Sequence, residues 1–235
     1  MHARKVAVIT GASQGIGAGL VEGYLGLGYA VVANSRSIAP RDEENLVTVA
    51  GDISDPEVAE RIASTAVSRF GRIDTLVNNA GIFIAKPFTE YTQEDFATAL
   101  GINLGGFFHI TQKAIADMLD RGFGHVVNVT TTLQESANSN VPSGLASLTK
   151  GGLASVVKSL AVEYAARGIR VNAVSPGIIK TPMHAEETHG FFAGLHPMQQ
   201  MGTIDDVVRG VLYLEQAPFV TGEFLHVDGG QSAGN

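Results

Sequence analysis

Cysteine and tryptophan are absent from the 235 residues, and no apolar run reaches the roughly 20 residues that a membrane-spanning helix needs. The first absence excludes disulfides, thiolate metal sites and cysteine nucleophiles, and it fits a reducing compartment, so a cytoplasmic location is expected. The first residues lead straight into VAVIT, without the basic, apolar and small-residue sections of a secretory leader. Basic excess is lacking too: 16 Lys and Arg face 23 Asp and Glu, and a net charge of −7 argues against nucleic acid or an anionic membrane as partner. His184, His189 and His196 share one segment, but their spacing does not suit zinc and no carboxylate or cysteine completes a set, so no metal is expected. No linker, repeat or low-complexity tract interrupts the chain, and residues 1–235 read as one domain.

What is present is alternation. Apolar, β-branched runs lie at 6–10, 30–33, 46–49, 75–77, 126–129, 169–174 and 224–227, several of them continuously apolar, as in strands covered on both faces. Helix signals lie between them. Asp55-Pro56 reads as an N-cap followed by proline at the first helical position, and Thr92…Asp95 and Thr203…Asp206 have capping-box spacing. The order predicts an α/β fold, a doubly wound parallel sheet of about seven strands, with ligands beyond the strands' carboxyl ends. Only SRSIAPRDEEN separates the second and third strands, too little for a full crossover helix, so a turn or a degenerate helix is expected there.

The run VAVITGASQGIG sets glycines at 11, 15 and 17 between a strand and a helix start. Such a turn brings backbone amides and a helix N-terminus to a pyrophosphate, so Gly11, Ser13, Gln14, Gly15, Ile16 and Gly17 are candidates for holding a dinucleotide. The second strand ends in VVANSRS. A carboxylate there would hold the ribose 2′-hydroxyl; Ser35 and Arg36 occupy the corner instead, which favours a 2′-phosphate and hence NADP(H) over NAD(H). One further charge stands out. Lys150 is the only charged side chain between Glu135 and Lys158.

These stretches, with Asp52 in GDIS, NNAG at 78–81, Asn103 in GINLGG, VVNVTT at 126–131, RVNAVSPG at 170–177, Thr181 and VDGG at 227–230, resemble the short-chain dehydrogenases/reductases in the family's order across nearly the whole chain. The resemblance implies a Rossmann-type domain and an oxidoreductase acting on a carbonyl or imine of a small molecule. It implies Asp52 and Ile53 at the adenine and Asn79, Ala80 and Gly81 at its ribose. Ile179 and Thr181 would meet the nicotinamide carboxamide, with Pro176 and Gly177 beside them, and Lys150 the nicotinamide ribose. Asn103 would hold a water linking Lys150 to solvent. Phe96, Leu100, Asn103, Phe107, Ile110 and Ala114 also share one stripe at helical spacing, where a buried amide needs partners, so a structural role for Asn103 is equally compatible.

A last absence concerns the chemistry. The family's proton-transferring tyrosine stands four residues before the lysine; that position is Ala146, and Tyr91 and Tyr164 lie too far away to replace it. The family's serine corresponds to Thr131, with Thr132 as second choice. The interval from Thr131 to position 146 is 15 rather than the usual thirteen or so, which predicts a reshaped loop over LQESANSNVPSG. Asn103, Thr131 and Lys150 remain as catalytic candidates. Ser143, Ser147 or a Lys150-bound water could relay the proton, and a cationic or self-protonating substrate would need no donor. The competing reading is a cofactor-binding protein without turnover; a single engineered Tyr-to-Ala change does not explain the altered loop. Residues 181–201 stand where the family carries a substrate lid. Resemblance further implies that the helix around 151–166, with Leu153, Val156, Val157, Leu160 and Tyr164 on one face, pairs with the helix around Asn103 in a homodimer or homotetramer.

Overall fold

Alternate side chains of a strand point to opposite faces, so a run that is apolar throughout needs cover on both. A computed structural model, describing residues 4–234, shows this arrangement. Strands β1 (Val6–Thr10), β2 (Ala30–Ser35), β3 (Leu46–Ala50), β4 (Thr75–Asn78), β5 (Gly124–Val129), β6 (Ile169–Pro176) and β7 (Phe224–Val227) form one parallel sheet in the order β3-β2-β1-β4-β5-β6-β7. Helices α1 (Gly15–Gly26), α2 (Pro56–Phe70), α3 (Gln93–Ala99), α4 (Phe107–Arg121), α5 (Gly144–Tyr164), α6 (His189–Ala193) and α7 (Ile204–Gln216) accompany it. Val6 and Val8 of β1 enter a core with residues of α2, α4 and α5, while Ala7 and Ile9 enter the opposite core with residues of α1 and α7. Strand order reverses at β1 and β4, which opens a crevice beyond their carboxyl ends. Among the described residues no helix is long and apolar enough to cross a membrane.

The end signals form as their chemistry requires. Asp55 caps α2 by accepting from Glu57 N, and Thr92–Asp95 and Thr203–Asp206 close reciprocal capping boxes on α3 and α7. Residues 36–45 hold no helix: Arg41 N donates to Thr48 Oγ1 at 2.8 Å, and Asp42 bridges Val47.

Three details depart from the periodic reading. Residues Leu100–Gly106 are wound as a π-helix between α3 and α4, so the stripe slips and Phe96 is exposed while Asn103 is buried. Helix α5 begins at Gly144, which places Ala146 and Lys150 on its first turns. Asp117, on the face of α4, does not stand free in solvent but accepts from Ile73 N at 2.8 Å and pairs with Arg121.

A buried polar cluster ties the amino edge of the sheet together. The Glu215 carboxylate accepts from the Tyr24, Tyr29 and Thr75 hydroxyls at 3.2, 2.8 and 3.0 Å and from His125 Nδ1 at 2.8 Å. His125 Nε2 lies 3.1 Å from the Asn172 amide, which fixes a neutral ring protonated at Nδ1. Burial lowers the His125 pKa in spite of Glu215. Burial alone would raise that of Glu215; His125, Tyr29 and Thr75 more than offset it and keep the carboxylate ionised. Arg170 donates to Leu214 O and Glu215 O, placing its cation at the carboxyl end of α7.

Candidate active site

The glycine turn is held open by backbone geometry. Gly11 and Gly15 have φ of 66° and 58°, a region L side chains rarely adopt. At Gly17 a Cβ would stand 2.1 Å from Gly11 O and 2.6 Å from Asn79 Nδ2. The N-cap of α1, Gln14, makes no side-chain cap hydrogen bond, and the first turn carries no acidic residue, so the amides there are free for an anion. Thr10 Oγ1 accepts from Asn79 N and Ala80 N at 3.1 and 3.0 Å, and Asn79 Nδ2 donates to Thr10 O. The turn and the segment after β4 are thus one rigid wall.

One cleft of about 540 Å³ runs along this wall, and all the dinucleotide candidates named from the sequence, from Gly11 to Thr181, line it. At one corner Ser35 donates to Ser13 at 2.9 Å, and Arg36 lies exposed beside them with no ion pair or hydrogen bond among the described residues. Asp52 Oδ1 accepts from Ser54 N and Oγ, which fixes its side chain. A free guanidinium beside a glycine cradle suits a phosphorylated dinucleotide.

Lys150 faces the same cleft and is otherwise enclosed by protein; its ammonium has no hydrogen-bond or ion-pair partner among the described residues. Enclosure without a counter-charge lowers its pKa to about 8. Gly81 leaves it room: a Cβ there would stand 3.4 Å from Lys150 Nζ and 3.3 Å from Asn103 Oδ1. The Asn103 side chain is engaged on every side. Its Oδ1 accepts from Ile82 N at 2.9 Å, and its Nδ2 donates to Ile82 O and Thr149 Oγ1 at 3.2 and 3.0 Å. It therefore ties the π-helix to the segment after β4. Between Asn103, Asn78, Thr10 and Lys150 lies a cavity of about 10 Å³, room for about one water.

The altered loop reshapes the wall opposite. Thr131 lines the cleft and its Oγ1 accepts from Leu133 N, leaving its own proton free. Thr132 does not line it; its hydroxyl donates to Gln231 Oε1 at 3.0 Å. Ala146, Ser143 and Ser147 are likewise absent from the lining, and Ser147 Oγ donates to Leu133 O at 3.2 Å. Leu133 and Val141 form that part of the surface.

The segment after β6, where the resemblance sets a substrate lid, contributes apolar side chains to the cleft and one residue not assigned to it from the sequence, His184. Met183, His184 and Phe192 line the cleft, with the His184 ring 4.9 Å from that of Phe192. Burial, and then His189, lower the His184 pKa. His196 is buried, accepting from Ile178 N at 3.0 Å and donating through Nδ1 to Phe192 O at 2.9 Å, and so clamps the segment to the loop after β6.

A family model described as Enoyl-(Acyl carrier protein) reductase matches residues 11–232. The 3beta-hydroxysteroid dehydrogenase 1 of Eggerthella lenta is 35% identical, the match covering 97% of this chain and 94% of that protein. Among solved structures, ElxO with NADP bound superposes with a TM-score of 0.91 at 33% identity, covering 98% of this chain and 100% of the other. The 3-ketoacyl-(acyl-carrier-protein) reductase from Brucella melitensis, complexed with NADH, gives 0.89 at 32% identity over 97% and 98%. A glycine cradle under a parallel sheet, matched along nearly its whole length in sequence and in space, places this chain in the short-chain dehydrogenase/reductase family of oxidoreductases.

Proposed function

We propose that this protein is an NADP(H)-dependent oxidoreductase that moves hydride to or from a carbonyl or imine of a small apolar molecule, with a proton donor other than a phenol. The observation that carries the reading is the single cleft running from the free Arg36 guanidinium, past the amides of the glycine turn, to the free Lys150 ammonium. Gly11 to Gly17 hold the pyrophosphate, Ser35 and Arg36 the 2′-phosphate, Asp52 and Ile53 the adenine, and Asn79 to Gly81 its ribose. Pro176, Gly177, Ile179 and Thr181 hold the nicotinamide, and Lys150 its ribose. The reduced nicotinamide, when bound, supplies the hydride. Thr131 hydrogen-bonds the substrate's oxygen or nitrogen through its free proton. Structures with NADP and with NADH both occur among the similar proteins, so the choice of NADP(H) rests on Arg36.

The substrate end of the cleft is apolar: Phe83, Leu133, Val141, Met183 and Phe192 line it, and Lys150 is its only Lys or Arg. A neutral, apolar substrate suits such a wall, and residues 181–201 serve as its lid. The exposed Phe108, Leu148 and Val162 on α4 and α5 support a homodimer or homotetramer. NADPH oxidation at 340 nm with apolar ketones and cyclic imines tests the reading. Ala146 favours a second one, cofactor occupancy without turnover: tight NADPH binding with no oxidation of any of these compounds would select it.

A further inference from the structure

Once hydride reaches the carbonyl carbon, the oxygen must gain a proton, and the phenol expected for it is missing at Ala146. Ser143 and Ser147 do not line the cleft. Of the hydroxyls that do, Thr130 donates to Val174 O at 3.1 Å. The threonine hydroxyls ionise far above neutral pH and orient a substrate rather than protonate it. His184 is neutral near pH 7, because burial lowers its pKa, and a neutral imidazole is a poor acid. Lys150 is left, with three N–H bonds and no acceptor among the described residues.

We propose, on the basis of the oxidoreductase reading above, that the Lys150 ammonium is itself the general acid of the reduction. The carbonyl carbon would take hydride, with its electron pair, from a C–H bond of the reduced dinucleotide, which would be oxidised as that bond breaks and the new C–H bond forms. The π pair of C=O moves to oxygen, an N–H bond of Lys150 breaks, and an O–H bond forms. Lys150 is left as a neutral amine and regains a proton from water. In the reverse direction the neutral amine takes the alcohol's proton. Ala146, one helical turn earlier on α5, carries only a buried methyl group and does not line the cleft. Burial has brought the lysine to about 8, within the range in which general acids and bases work near neutral pH. The charged or titratable groups on the same cleft are Arg36, Asp52 and His184, and none makes an ion pair with Lys150.

The test compares wild type with Lys150→Arg, using NADPH and 2,2,2-trifluoroacetophenone. Arginine keeps the charge but does not release a proton in this range. The expected result is NADPH affinity within about fivefold of wild type with kcat at least about a hundredfold lower, as for loss of a general acid. Wild-type kcat for reduction should fall about tenfold per pH unit above about 8. Independently of turnover, NMR titration of labelled lysine side chains should show one resonance titrating near 8, absent from the variant. A variant that reduces the ketone within threefold of wild type, or a Lys150 resonance titrating near its ordinary value of 10.5, overturns the inference. Wild type that binds neither dinucleotide overturns the oxidoreductase reading instead.

Discussion

A methyl group at Gly17 would collide with Gly11 O and Asn79 Nδ2, atoms that belong to the rigid wall of the cradle. Gly17→Ala should therefore weaken binding of NADPH and NADH alike by at least tenfold, measured by fluorescence titration. Arg36 would act differently, because the proposed function assigns it only the extra phosphate. Arg36→Ala should weaken NADPH binding by roughly tenfold to a hundredfold, the effect of losing hydrogen bonds to a charged group, and change NADH binding less than about twofold. Unchanged NADPH affinity in that variant would remove Arg36 from the site. The place of these residues on the cleft was legible in the sequence because it is set locally: a glycine between strand and helix, or a cation at a strand end, carries its constraint within a few residues. His184 was missed because the histidines of its segment suggested only a comparison with metal spacing, and the fold of the segment is what turns its ring into the cleft. Asn103 was legible as a buried amide, but its pairing with Ile82 and Thr149 depends on helices meeting far along the chain.

Secondary elements show the same division. Seven strands and the caps of α2, α3 and α7 follow from patterns of two to four residues. The π-helix over Leu100–Gly106 does not, since the stripe through Asn103 assumes an unbroken helical period. The cluster around Glu215 was invisible for a different reason: Tyr24 and Glu215 are 191 residues apart. Glu215→Ala leaves buried hydroxyls and the His125 ring unsatisfied, about 2–3 kcal/mol. At roughly 2–4 °C per kcal/mol, the melting midpoint should fall by about 5–10 °C. NADPH affinity should stay within twofold, because the cluster lies at the opposite edge of the sheet from the cleft. His125 also sets a pH dependence. Its folded pKa lies below the ordinary 6.5, so the unfolded chain binds more protons as pH falls through that value. Stability is then full above about 6.5 and declines with acidification below it. Thermal melts between pH 7.5 and 5 should show this decline, and His125→Asn should flatten it; an equal slope in both proteins would contradict the assignment.

For the molecule as a whole, the sheet reversal at β1 and β4 puts the glycine turn, Lys150 and the segment after β6 on one edge, while apolar side chains on α4 and α5 remain uncovered. Val162 is 83% exposed, and Phe108 and Leu148 are exposed on the same two helices. Sedimentation equilibrium should give a multiple of the chain mass, and Leu148→Glu with Val162→Glu should shift it toward one chain; a wild-type monomer would contradict the proposed assembly. Everything assigned to the cleft presupposes that it takes a phosphorylated dinucleotide. Isothermal titration calorimetry of the wild-type protein with NADPH and then NADH tests this most directly. The account predicts saturable binding of NADPH with a Kd at least tenfold below that of NADH. No heat from either dinucleotide at millimolar concentration, or equal affinity for both, would contradict it.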